Sequence, residues 1–331
     1  MKTFLNFSFI ILILLGSQES QSQLGLNEVA TDILFIIDGY NEPAAEASVM
    51  QTGAGWFHTA KSLDLFKTNI AIGISGLPFP NSKKNFTVKD SDFSNVDIRD
   101  GDQASIPTTL GGRGLTFFDF EIDGEAYEFQ AFSGIRSDLF AMPYIQGQIG
   151  LWKETELTLR LVPQLVIDKS SYAVYGLGLK HNISQYLFKE NRALEIAVYG
   201  NYNLTDLNID FEEPLELAPS NGNPPLAILD GSLIDFHSIN TGLVVSKDLN
   251  KWTFSTSLNY NTSWVDYSLT GEKSLFLNIF NDALTTLSAT KHSFRGDIGA
   301  AYQITPKWNI NSQFSAGQFV NLNISGIYSI N

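Results

Sequence analysis

The chain has 331 residues, of which 44% are hydrophobic, 12% aromatic and 17% charged, with no cysteine and a formal net charge of −14. The missing thiols exclude a disulfide scaffold, a cysteine-ligated zinc or iron–sulfur centre and a cysteine nucleophile. With 21 Lys and Arg against 35 Asp and Glu, there is no basic surplus to neutralise phosphates, so no nucleic-acid partner is expected.

Lys2 precedes a nearly continuous apolar stretch over residues 4–15, and a polar tail over 16–23 carries the small residues Ser20 and Ser22. This layout predicts a secretory signal peptide, residues 1–22, cut after Ser22. The apolar stretch falls short of the roughly 20 residues that span a bilayer. Residues 27–38 then place Val29, Ala30, Ile33, Leu34, Ile36 and Ile37 at helical spacing, with Asn27 as N-cap and Gly39 as stop. A second short helix fits residues 44–50. Residues 23–62 are therefore expected to form a helical N-terminal segment, either a plug in the lumen of the downstream β-domain or a helix at its rim.

From about residue 67 the pattern changes to period two, the signature of strands. Ile70, Ile72 and Ile74 alternate with Ala71, Gly73 and Ser75, and Leu157, Leu159 and Leu161 alternate with Thr158, Arg160 and Val162. Val320, Leu322 and Ile324 alternate with Asn321, Asn323 and Ser325. Such segments cover 171–180, 193–202, 237–246, 251–260, 291–304, 307–315 and 319–330. Most reach the length of membrane strands, about 9–11 residues, where soluble strands average about 5–6. The longest later aliphatic or aromatic run is Ile33-Leu34-Phe35-Ile36-Ile37, too short for a transmembrane helix. The fold class is all-β: a transmembrane antiparallel β-barrel over residues 63–331, with about 12 strands and 10 to 14 allowed.

Turn lengths orient it. Short polar turns occur at Trp152-Lys153-Glu154-Thr155, Lys247-Asp248-Leu249-Asn250-Lys251 and Thr305-Pro306-Lys307, and long connections at 204–236 and roughly 262–290. Bacterial barrels keep short turns in the periplasm and long loops outside, and strand parity puts these two sets on opposite sides. Trp152, Trp252 and Trp308 border short turns, and with Tyr260, Trp264, Phe319 and Tyr328 they suggest interfacial girdles. Residues 115–122 and 126–132 flank Asp123-Gly124 as a hairpin, placed either in the wall or in an outer loop. Residues 181–188 break the alternation as a short amphipathic helix on the periplasmic side.

If the leucines of 157–161 face lipid, Arg160 points inward, with Glu156 on the same face as one candidate partner. These two are the candidate lumen residues, read as a structural ion pair ahead of a substrate contact. His58, His181, His237 and His292 lack metal-ligand spacing, and no nucleophile elbow or phosphate loop occurs. No catalytic residue, cofactor or metal site is assigned, and an enzyme ranks last. Residues 204–236 hold Asp206, Asp210, Glu212, Glu213, Glu216, Asp230 and Asp235, and Asp97, Asp100 and Asp102 surround Gly101. Neither has the spacing of a calcium loop, so solvated acidic loops are expected ahead of Ca²⁺ sites.

Four stretches carry a resemblance: Gly53-Ala54-Gly55-Trp56-Phe57-His58-Thr59-Ala60-Lys61, Met142-Pro143-Tyr144-Ile145-Gln146-Gly147-Gln148-Ile149-Gly150, Thr155-Glu156-Leu157-Thr158-Leu159-Arg160-Leu161-Val162-Pro163 and Tyr175-Gly176-Leu177-Gly178-Leu179-Lys180-His181-Asn182-Ile183-Ser184-Gln185-Tyr186. They resemble an uncharacterised family of exported Bacteroidetes proteins assigned to outer-membrane β-barrels. More distantly, a helical N-terminus before a barrel is similar in layout to long-chain fatty-acid transporters. The resemblance implies a fold and a location, the cell outer membrane, and leaves activity open. The expected function is a passive channel or transporter for small solutes, hydrophobic ones included, with outer-membrane lipid and the barrel-assembly machinery as partners. The alternatives are an adhesive or structural barrel working through acidic outer loops, and a secreted soluble β-protein.

Overall fold

The computed structural model describes the backbone of residues 2–330 except 123, 168–169, 189–191, 220 and 285–289, and the side chains from residue 28 onward, 167 and 212 also excepted. The chain opens with helix α1 (Lys2–Gly53), followed by β1 (Thr68–Pro78), β2 (Asn85–Lys89), β3 (Val96–Ile98), β4 (Gln103–Pro107), β5 (Phe117–Ile122) and β6 (Glu125–Gln130). Next come β7 (Leu139–Leu151), β8 (Thr155–Ile167), β9 (Ser170–Asn182), the single-turn α2 (Ser184–Leu187), β10 (Glu195–Pro219), β11 (Ala227–Leu249) and β12 (Trp252–Gly271). Helix α3 (Leu275–Leu284), β13 (Lys291–Thr305), β14 (Trp308–Ala316) and β15 (Val320–Ser329) complete the chain.

Ten strands close a ring, β1 and then β7 through β15, each antiparallel to its neighbours, with β1 paired to both β15 and β7. Directly opposed residues lead from Trp264 of β12 through His237, Leu204, Tyr175, Leu161, Ile145, Ile72, Gly326, Ile310 and Tyr302 to Trp252, twelve residues down the same strand. That stagger over ten strands tilts them by about 40°, within the range that closes barrels. The row is the outward one. Elsewhere on that surface Leu258 and Phe294 are 73% and 76% exposed, and no second sheet covers them among the described residues. An exposed apolar belt of this extent fits the hydrocarbon-facing surface of an outer-membrane barrel.

Aromatic rings border the belt. On one side Phe66 meets Trp152, Trp252 meets Tyr302 and Trp308 meets Tyr328, at centroid distances of 5.6, 4.8 and 4.9 Å. On the other His237 stacks on Trp264 and Tyr260 on His292, at 5.5 and 5.7 Å. At about 3.3 Å per residue and this tilt, Trp252 to Trp264 rises roughly 30 Å, enough to hold a 25 Å apolar band between girdles. Phe319 is the exception to the expected girdle: it is buried inward against Met50 and Leu77.

The three short turns lie at one end, together with α2. At the opposite, tall end the structure corrects three expectations. Residues 204–236 are not a long loop, because β10 and β11 pair from Glu195 opposite Ser246 to Leu217 opposite Ala227. Residues 262–290 likewise continue β12 to Gly271 and then form α3. The wall has ten strands, the low end of the allowed range, because the hairpin at 115–132 leaves it: among the described residues β5 and β6 pair with each other, β3 joins β5, and β6 pairs with the wall at the tip of β10. Gly124 takes φ +79° in that turn, and Asp123 lies outside the described residues.

The N-terminal segment is one helix rather than two. Gly39 is no stop: a Cβ there would lie 2.4 Å from Phe86 Cε2, so the glycine admits a close neighbour. Val29, Ile33, Ile36, Ile37 and Tyr40 join Phe118, Phe129, Leu217, Leu229, Phe236 and Phe280 in one apolar cluster that covers the tall end as a dome. Further on, Ala44, Ala47 and Met50 meet Leu77, Phe79 and Phe319 at the mouth of the lumen. Residues 51–67 then descend the lumen to the short-turn end, where β1 begins. The helix up to about Ala45 thus caps the tall end, and the chain from Gln51 to Ser62, the plug, runs inside the ring.

Candidate functional site: the plug and its socket

The last turn of α1 leaves carbonyls without helical donors, and the helix dipole makes that end partly negative. Arg160 of β8 meets it. Its Nη1 donates to the carbonyls of Thr52 and Ala54 at 3.3 and 2.7 Å, and its Nη2 to that of Gly55 at 2.6 Å. Gln146 of β7 fixes the guanidinium by accepting from Nε and Nη2 at 3.0 and 2.8 Å. The planar, multi-donor fork of arginine suits three carbonyls in different directions, which a lysine ammonium does not. Asn240 Nδ2 donates to the Gly53 carbonyl at 3.3 Å. A second cation, Arg295, stands beside Gly53 and is held by Asp297 at 2.8 Å.

Trp56 is the knob of this plug. Its indole lies against Gly176 and Gly178 of β9, where added Cβ atoms would come within 2.7 and 2.8 Å of the ring. Strand alternation places these two glycines on one inward face, making a flat slot. The Arg160 guanidinium sits 4.4 Å from the Trp56 ring and 4.4 Å from that of Tyr144, a cation–π contact on two sides. Gln146 Nε2 donates to the Trp56 carbonyl at 3.0 Å, and Trp56 Nε1 donates to the Thr52 carbonyl at 2.8 Å. Gly55 turns the chain with φ +71°, a conformation that favours glycine, and packs against the Asn323 side chain.

Below the knob, Lys180 of β9 donates to the carbonyls of Thr59 and Lys61 at 3.1 and 3.0 Å and pairs with Glu156 at 3.2 Å. Glu156 also accepts from Leu63 N at 3.3 Å and from Gln148 Nε2 at 3.1 Å. Both charges are buried, as in-barrel charges are when paired. Ser246 Oγ accepts from Ala60 N at 2.9 Å.

The two candidate lumen residues thus both face inward, but they are not partners. Residues four apart in a strand lie about 13 Å from each other, beyond ion-pair reach, whereas Glu156 stands directly across from Lys180. Sequence reading missed Lys180 and Trp56 as lumen groups. The signal for the latter was present as glycines two apart on an inward face. The four stretches that carried the resemblance converge here, supplying Trp56, then Tyr144 and Gln146, then Glu156 and Arg160, then Gly176, Gly178 and Lys180. The histidines stay dispersed: His237 bonds Tyr202 and His292 bonds Tyr260, both on the outer face. Among the described residues no group of three or more His, Cys, Asp or Glu side chains could hold a metal ion. The exposed acids Asp206, Glu213, Glu216, Asp230 and Asp235 stand on β10 and β11.

Fold and site together define a closed antiparallel barrel with an internal plug. The chain belongs to a family of unknown function (DUF6588), whose family model matches residues 1–330. No curated protein matches it. Among solved structures it is similar to the translocator domain of the autotransporter NalP from Neisseria meningitidis, at 10% identity over 88% of this chain and 99% of that one, with a TM-score of 0.35. It is also similar to an outer membrane channel from Pseudomonas putida F1, at 8% identity over 82% and 98% with a TM-score of 0.32. The attachment invasion locus protein Ail of Yersinia pestis aligns at 11% identity over 80% and 99%, with a TM-score of 0.28. Likenesses of this size transfer no role.

Proposed function

We propose that the chain is an outer-membrane channel or transporter for small solutes that is closed at rest by its own N-terminal segment. On this reading residues 1–22 direct export and are removed, the belt meets outer-membrane lipid after insertion by the barrel-assembly machinery, and the short turns face the periplasm. The observation that carries it is the mismatch between plug and wall. Asn201, Asn203, Asn261, Asn311, Gln313 and Asn323 each keep a buried side-chain atom with no protein hydrogen-bond partner, so the wall offers more polar groups than the plug uses. A wall with spare polar groups is what a lumen that admits water or a polar solute requires. Apolar solutes are included, and no enzymatic activity is proposed.

The test is planar-bilayer recording. The intact protein is expected to show rare, brief openings, and a variant with the Arg160 clamp removed to conduct steadily. Equal, negligible conductance from both would refute the proposal. One observation favours a second reading, an adhesive barrel: the exposed acids ride on hairpins projecting beyond the belt. Shortening β10 and β11 to residues 204 and 236 would then abolish surface binding without changing permeability.

A further inference from the structure

The short-turn mouth holds an open cavity of about 480 Å³ lined by residues between His58 and Asp64 at the end of the plug and by the ends of β1, β7 to β9 and β11 to β15, with Lys61, Lys67 and Lys251 exposed at it. That volume lies in the range of small-molecule sites. Its charge runs against that of the chain. Lys61, Lys67, Lys180 and Lys251 line it with only Asp64, Glu156 and Asp248 opposing, in a protein of net charge −14. Lys180 is committed to Glu156 and the plug, and Lys61 reaches Asp248 only at 3.8 Å. Lys67 and Lys251 line the same space with no ion pair to any described residue. Between the charges stand amides and hydroxyls, among them Asn69, Gln303, Asn309 and Thr253.

We infer that this mouth binds a small polyhydroxylated anion of the sugar-phosphate type, with Lys67 and Lys251 meeting the anionic group and the amides the hydroxyls. An ammonium is a point charge suited to a phosphate oxygen. Amides and hydroxyls both donate and accept, which matches the two-way hydrogen bonding of sugar hydroxyls and offers nothing to a hydrocarbon chain. The binding claim rests on the geometry of the mouth alone. Because Thr59 and Lys61 belong to both cavity wall and latch, coupling of occupancy to plug release rests on the proposed gated channel.

The experiment is isothermal titration of the full chain in detergent with glucose 6-phosphate, glucose and inorganic phosphate as separate probes. Glucose 6-phosphate is expected to bind with a Kd of about 1 mM or below, at least about tenfold tighter than either fragment, and to weaken with added salt. Lys67→Ala with Lys251→Ala should weaken it at least about tenfold, and the paired arginine variant should keep it. The heat-dependent electrophoretic mobility of each variant reports an intact barrel, and single alanine variants replace any double variant that fails to fold. No binding of glucose 6-phosphate, binding no tighter than that of inorganic phosphate, or unchanged affinity in the alanine variants would overturn the inference. Since binding is read without conductance, its failure is distinct from failure of the gate.

Discussion

At the scale of single residues, Arg160 and Glu156 look alike in sequence, inward charges on one strand, yet they hold different parts of the plug. Arg160 caps the helix end and stacks on Trp56, while Glu156 neutralises Lys180. Arg160→Met removes charge-assisted bonds to three carbonyls and should cost plug seating about 2–4 kcal/mol, read as faster proteolysis within residues 54–62 and as conductance. Arg160→Lys should rescue little, because an ammonium cannot reproduce the fork. In double-mutant cycles on the same proteolysis, Glu156 and Lys180 should couple by more than about 1 kcal/mol, whereas Glu156 and Arg160 should add within about 0.5 kcal/mol. Strong coupling of the latter pair would show that the assignment of partners is wrong. The inward direction of both was legible from alternation. Their partners were not, since cross-strand register is fixed by contacts distant in sequence.

At the scale of elements, the strands were legible wherever alternation met an apolar outward row, as in β1, β8 and β15. They were lost where the outward row turned acidic. In β10 the inward Ile209 and Phe211, then Leu215 and Leu217, keep the period on either side of a register shift between Asp210 and Leu215, while Asp206 and Glu216 face water, so composition and the interruption together mimicked a loop. Helix α1 misled in the opposite way, because Gly39 looks like a stop although the helix runs on through it and through Pro43. The slot on β9 gives the element-level prediction. Gly178→Val places a branched side chain where a Cβ alone would be 2.8 Å from the indole, so Trp56 must leave. Trp56 emission, isolated by replacing Trp152, Trp252, Trp264 and Trp308 with Phe, should shift to the red and become quenchable from water. The strand and its neighbours should stay intact, since β9 keeps its pairing with β8 and β10.

Across the whole molecule, the N-terminal segment is anchored unequally, and that asymmetry decides which part can move. In the dome Val29, Ile33, Leu34, Ile36 and Ile37 are each buried to within a few percent, worth on the order of 10 kcal/mol together at roughly 1.5–3 kcal/mol per side chain. Toward the short turns, residues 52–63 bury fewer apolar side chains, chiefly Trp56 and Phe57, and add hydrogen bonds and one ion pair that a polar solute or water can replace. On the proposed function, the helix therefore stays docked in the dome while the segment below Gly53 acts as the gate. Two variants separate these halves. Deleting residues 24–60 removes both, so it should open the pore and also expose β10–β11 to protease, because the dome loses its central helix. Arg160→Met should open the pore while that hairpin stays protected. The barrel should survive in both, shown by retained heat-dependent mobility, since its ten-strand ring closes without the helix. Hairpin cleavage in the Arg160 variant at the rate of the deletion would mean that the two halves move as one body, and the gate would then have to be the dome itself.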